Sequence, residues 1–392
     1  MYMVTFTKRR LNEITESCLG KMLDQKKNKG EYYPYLANRN VRWGSFDLEE
    51  LPEMRFQETE RERYGLRKGD LVVCEGGEPG RCAVWEDVTH DMRIQKALHR
   101  IRAHEEINIY YLYYWFLFAG KRGLLEQYFT GTTIKHLPGD KLKSIEIYLP
   151  ERDYQDRVVS VLHSLDQKIK LNECINKNLQ EQAQSIFTQE FLSLDSLPEG
   201  WKESSLLGIA DFLNGLAMQK YRPKDDEQGL PVLKIKELRQ GLCDTNSELC
   251  SPSIKPEYIV HDGDVIFSWS GSLLVDIWCG DTCGLNQHLF KVTSCTYDRW
   301  FYYAWTNHHL QNFIAIAADK ATTMGHIKRE ELARAEVLIP SESDYERIGT
   351  LLSPLYDLVI SNRIENRKLA ALRDELLPQL MSGELDVSKL DI

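Results

Sequence analysis

The sequence predicts an α+β chain built from one unit used twice. Two similar mixed α/β domains are separated by two long helices that pair antiparallel, a coiled-coil spacer with a pseudo-twofold internal repeat. Three observations predict this. Gly131-Thr132-Thr133-Ile134-Lys135-His136-Leu137 returns as Ala321-Thr322-Thr323-Met324-Gly325-His326-Ile327. Leu149-Pro150 returns as Ile339-Pro340, and Thr132 to Thr322, His136 to His326 and Pro150 to Pro340 are each 190 residues apart. A seven-residue apolar pattern then follows both copies. A fixed period near half of 392 residues marks an internal duplication.

The first domain spans 1–150. Arg10-Leu11-Asn12-Glu13-Ile14 opens it and is echoed by Ser205-Leu206-Leu207-Gly208-Ile209. The alternation in Pro34–Val41 and Pro231–Leu238 reads in both as a strand ending in a turn. Lys68-Gly69-Asp70 and Asp262-Gly263-Asp264 each lead as a tight turn into a buried apolar strand, and Leu98-Arg100-Ile101 matches Leu289-Lys291-Val292. Tyr111–Trp115 answers Phe301–Trp305. Such aromatic density can stack bases, but its helical length in a repeated element points to core packing.

The first helical spacer covers 151–195, with Leu165, Asn172, Leu179 and Ile186 at seven-residue intervals. The second domain covers 196–341 behind the turn-rich 195–201. The second spacer covers 342–384, with Leu355, Asn362, Leu369 and Leu376 at the same rungs. A seven-residue apolar seam packs on another helix, and an Asn within it fixes register at a cost in stability. The natural partner of each helix is its own duplicate. Pro354 is expected to kink or split the second helix, and the Pro378–Gly383 region to end it. The tail, 385–392, is expected to fray from Val387 onward.

Composition narrows the function. The net charge is −10, and the first domain carries the more basic share. Any nucleic-acid contact must therefore be local or shared with a basic partner. Nothing resembles a signal peptide or a membrane span, so the expected location is the cytoplasm. The nine cysteines form no CxxC pair, and Cys279, Cys283 and His288 lack the spacing of structural zinc. Glu75–Gly80 lacks the Gly-Lys-Ser/Thr ending of a phosphate loop. Glu151 and Asp166 imitate a nuclease's acidic pair only faintly and read as solvated helix surface. No catalytic constellation is present. The expectation is a non-enzyme with no metal or cofactor of its own.

Two similar domains on an antiparallel helical spacer match the dyad of duplex DNA. About twenty helical residues span about 30 Å, close to one turn of B-DNA at about 34 Å. Because the domains differ in sequence, the two half-sites should differ too.

In the order and duplication of these motifs, with Leu-Met-Ser-Gly-Glu at 380–384, the chain resembles the specificity (S) subunit of Type I restriction–modification enzymes over nearly its whole length. The resemblance implies two target-recognition domains, each reading one part of a bipartite, asymmetric double-stranded DNA sequence. It implies two methyltransferase (M) subunits docked on the helices and binding S-adenosylmethionine. It also implies restriction (R) subunits that use ATP and Mg. The chain lacks the Asn-Pro-Pro-Tyr-type motif expected of the M subunit, so it would direct chemistry that others perform. A stand-alone nuclease or methyltransferase and a DNA-free scaffold are the rival readings.

Candidate DNA contacts are the polar residues flanking the repeated strands and the Thr-rich loop. In the first domain they are Asn38, Arg39, Asn40, Arg42, Arg81, Lys135 and His136. In the second they are Lys234, Lys236, Ser268, Ser270, Thr322 and His326. Arg suits guanine edges and Asn suits adenine. Solvated surface or phosphate contact stays open for each, and a structural hydrogen bond for the two histidines.

Overall fold

A computed structural model describes residues 4–24, 28–319 and 326–387. The chain divides into two compact units, 1–167 with 370–392, and 168–369, so both long helices contribute to both units.

Each unit repeats one plan. In the first, Thr7–Arg10 pairs with Glu146–Leu149, and a one-turn helix at Leu11–Ile14 leads into a four-stranded antiparallel sheet. Its order is Thr15–Leu19, Leu98–Ala103, Leu71–Cys74, Cys82–Val84. In the second unit, Lys202–Ser205 pairs with Glu336–Ile339. The matching sheet runs Asp211–Asn214, Leu289–Thr293, Val265–Ser268, Leu274–Ile277. Gly69 and Gly263, at φ 86° and 93°, make the predicted turns into the central strands. A smaller sheet in each unit pairs Glu31–Leu36, or Leu230–Leu233, antiparallel to one neighbour and parallel to another.

The aromatic segments are core helices. Ile109–Lys121 buries Tyr111, Tyr113, Tyr114 and Phe116, and Arg299–His308 buries Trp300, Phe301, Tyr303 and Trp305. Asn108 caps the first by accepting from the Tyr110 amide at 2.8 Å.

The spacer helices are Arg152–Phe187, extended by a π-turn over Thr188–Leu192, and Glu342–Ser382. Within the second unit they meet antiparallel through four asparagines. The Asn172 Nδ2 donates to Asn366 Oδ1 at 2.8 Å and to Glu365 Oε2 at 2.7 Å. The Asn362 Nδ2 donates to Asn176 Oδ1 at 2.9 Å. Asn362 and Asn366 are the 190-residue repeats of Asn172 and Asn176. Each pair is therefore the other's duplicate, as two-fold pairing of like surfaces requires. The flanking Leu165, Leu179, Ile186, Leu355, Leu369 and Leu376 are half-buried. Within the first unit the same helices meet where Val158 and Leu162 join Leu377 and Leu380 in one core.

Four expectations need correction. The segments read as strand and turn contain helix: Asn38–Asn40 forms a 3-10 turn and Ile235–Gln240 an α-helix. Glu237 draws the latter by accepting from the Lys234 amide at 3.3 Å. Pro354 does not split its helix, which is continuous from 342 to 382. Pro354 and Thr350 are exposed, so the carbonyl that the proline leaves free meets water. Asp166 is no solvated surface charge, since it accepts from Tyr114 Oη at 2.6 Å and Arg373 Nη1 at 2.8 Å. Val387 does not fray but is 1% exposed in the first unit's core. Gly383, at φ 75°, ends the second helix as expected. Among the described residues no helix is long and apolar enough to cross a membrane.

Candidate nucleic-acid interface

One backbone device recurs in both units. Behind the central strand, the Glu75 carbonyl accepts from the Leu137 amide at 2.7 Å, and the Trp269 carbonyl from the Ile327 amide at 2.9 Å. The next residues form single β-bridges, Gly76 to His136 and Ser270 to His326. This lashing holds the post-strand loop against the segment that ends the Thr-rich repeat. The repeated histidines thus owe their common position first to main-chain geometry.

In the first unit the lashing gathers several candidates. His136 exchanges both backbone hydrogen bonds with Thr130, at 2.8 and 2.9 Å, and its exposed ring lies beside Gly76. A Cβ at Gly76 would stand 3.1 Å from His136 Nδ1, and one at Gly77 would stand 2.9 Å from Asn38 Nδ2. The Arg81 Nη2 donates to the Asn38 carbonyl at 2.9 Å, and its Nη1 pairs with Glu78 at 2.9 Å. Arg81 therefore braces the loop and is mostly buried, whereas Arg39 and Arg42 are exposed beside it. Lys135 is exposed, 3.6 Å from Glu126. It borders a groove of about 830 Å³ that Trp43, Tyr113, Phe129 and the Thr132–Ile134 loop also line.

Below this cluster lies His99, whose ring meets the Leu137 carbonyl at 2.8 Å. Burial lowers its pKa below the ordinary histidine value, against the pull of that carbonyl. Neutral His99 therefore secures the root of the His136 segment.

In the second unit Ser270 and His326 come together, and Ser270 Oγ meets His288 Nδ1 at 3.0 Å. Lys234 and Lys236 are drawn to Glu248 at 2.7 Å and Asp244 at 3.7 Å, one loop away. Thr322 lies outside the described residues.

Two candidates are satisfied inside the fold. Asn40 is 3% exposed, and its amide accepts from Ala37 and donates to Asp47. Ser268 is fully buried where Cys74 stands in the first unit, with Oγ donating to the Ser272 carbonyl at 2.9 Å. Asn40 precedes a strand and Ser268 ends one, yet both side chains turn inward. His288 engages Ser270, and burial pushes the Cys279 thiol up to about 11, leaving it an unreactive core group.

Sequence reasoning missed Trp269, Lys328 and Arg329, which gather around His326, and weighed His288 only as a zinc ligand, whereas it pairs with Ser270. A lone tryptophan inside Ser268-Trp269-Ser270-Gly271-Ser272 was the available signal, as was Lys328-Arg329 directly after the repeat.

The model of the Type I restriction modification DNA specificity domain matches twice, over residues 3–181 and 198–373. The chain belongs to this family. Among specificity-domain relatives it is 26% identical over 305 residues to the Type I restriction enzyme MjaIX specificity subunit of Methanocaldococcus jannaschii, covering 71% of this chain and 70% of that one. It is 24% identical over 203 residues to the EcoBI specificity subunit of Escherichia coli, covering 51% and 40%. The fold matches the crystal structure of a Type-I restriction-modification system S subunit from M. genitalium with a TM-score of 0.60 at 15% identity, over 96% of both chains.

Proposed function

We propose that this chain is the sequence-reading subunit of a Type I restriction–modification assembly and catalyses nothing itself. Each target-recognition domain reads one half of a split, asymmetric DNA target. The observation that carries this is the same lashing built twice on unlike side chains. Glu75 and Gly76 in one unit stand where Trp269 and Ser270 stand in the other. One scaffold thus presents two chemically different loops, as two different half-sites require.

Arg39, Arg42, Lys135 and His136 serve the first half-site, and Ser270 and His326 the second. Arg81 and Asn38 position the first loop. The paired helices set the separation of the readers and receive the M subunits, for which the exposed Leu351 and Leu358, seven residues apart on one helix, offer apolar contact. S-adenosylmethionine belongs to those M subunits, and ATP and Mg to the R subunits. The acidic total fits this division, because basic partners supply much of the phosphate grip.

Reconstitution with methyltransferase subunits, followed by mapping of methylated bases, tests the proposal. One split, asymmetric motif is expected, with no methylation or cleavage by the chain alone. A contiguous motif, or activity from the purified chain, would overturn it.

A further inference from the structure

The second unit holds a cavity of about 630 Å³ next to its lashing that shares only His326 with the residues assigned to reading. Trp269, Phe290 and Tyr258 contribute aromatic walls, and His326, Lys328 and Arg329 also line it. No aspartate or glutamate lines it among the described residues, although the chain carries a net charge of −10.

The indole is fixed. Trp269 Nε1 donates to Asn214 Oδ1 at 3.0 Å, and Phe290 backs the ring at 5.6 Å with 31° between planes. His326 stands edge-on to it at 6.3 Å. The Asn214 amide nitrogen remains available to donate to a ligand's acceptor. Arg329 Nη2 donates to the Phe212 carbonyl at 3.1 Å, which holds its guanidinium at the wall, and Lys328 is exposed without an ion pair among the described residues. A rigid aromatic platform rimmed by cations, with no competing carboxylate, suits a ligand that is flat, aromatic and anionic. The first unit has Glu75 at the place of Trp269, which would repel such a ligand.

We propose that this cavity binds a nucleotide, with the base stacked on Trp269 and phosphate held by Lys328 and Arg329. Two sources share that chemistry: a nucleotide unstacked from DNA bound at the adjacent loop, and a free nucleotide. The first source rests on the sequence-reading role proposed above.

The test uses the full chain and 2-aminopurine, whose emission falls on stacking. The probes are a duplex with one unpaired 2-aminopurine, the same duplex fully paired, and free 2-aminopurine nucleoside triphosphate. The unpaired duplex should bind roughly 5- to 100-fold more tightly than the paired one, with quenched emission, and Trp269→Leu should abolish that ratio. Because the ratio compares two DNAs on one protein, a general loss of folded protein cancels. Lys328→Ala, a surface change, should lower the slope of log affinity against log salt by about one. Trp269-dependent quenching of the free nucleotide without preference for the unpaired duplex supports the pocket and assigns it to a free ligand. No preference and no quenching of either probe overturns the pocket, even where paired-duplex binding leaves the reading role standing. Quenching of the free nucleotide without any duplex binding by the chain alone likewise assigns the pocket to a free ligand, because the partner subunits supply much of the phosphate grip in the assembly.

Discussion

Replacing Asn362 by Leu in the spacer would remove the donor that satisfies Asn176 Oδ1 at 2.9 Å. Asn176 and Asn362 are each 8% exposed, so water cannot readily replace the lost bond. A buried acceptor left unpaired costs about 1–3 kcal/mol. Burial of the new leucine returns a similar amount, about 1.5–3 kcal/mol for a full side chain, so the single variant should lie near neutral. Asn176→Leu should behave likewise, leaving the Asn362 amide unpaired. The double variant leaves neither group unpaired and keeps both apolar gains. It should therefore exceed the sum of the singles by both removed penalties less the net worth of the lost bond, a coupling energy of about 1–5 kcal/mol. Urea unfolding of the four proteins gives this number from midpoints at constant slope. The stabilised double variant should also tolerate a wider range of half-site spacings, since the pair that fixes register is gone. Additivity within about 0.5 kcal/mol would refute the reasoning, as would an unaltered spacing preference.

Other outcomes follow from the same contacts. Arg367 grips both oxygens of Asp262 at 2.8 Å and the Cys279 carbonyl at 2.7 Å, fastening the second helix to its domain. Arg367→Ala should cost about 1–3 kcal/mol in chemical unfolding, and Arg367→Lys should not restore it, because a point charge cannot match the fork. His99 titrates lower in the folded chain than in the unfolded one. Its contribution to stability is therefore complete above the ordinary value near 6.5 and is lost as pH falls toward the lower folded value. His99→Gln should flatten stability against pH in that window while keeping a donor for the Leu137 carbonyl. Gly131 has φ 89°, and a Cβ there would stand 2.3 Å from the Ile134 carbonyl oxygen. Gly131→Ala should therefore displace the Thr-rich loop and weaken first-half-site binding about tenfold or more in an anisotropy titration.

The duplication, the spacer and the aromatic core helices were legible because each rests on a period, and a period survives changes of side chain. The Gly-Asp turns were legible because a positive φ demands Gly. One seam of the spacer was read through Asn172 and Asn362, but its second polar rung, Asn176 and Asn366, was passed over. That rung sits four residues on, where the other row of the seam faces the partner helix. Less was legible at the interface. Asn40 and Ser268 sit at strand ends as contact residues would, and only tertiary packing shows their side chains turned inward. Asp166 looks like any surface acid until Tyr114 and Arg373 are brought to it from distant segments. Trp269 falls in a loop without periodicity, so nothing local marks it as a wall of a cavity.

Exchange of residues 1–150 for the first domain of a relative, with methylated bases mapped before and after, tests the central claim most directly. Two independent readers on one spacer require that one half of the motif change while the other half and the gap between them stay as they were. A motif altered in both halves, or in neither, would contradict that account.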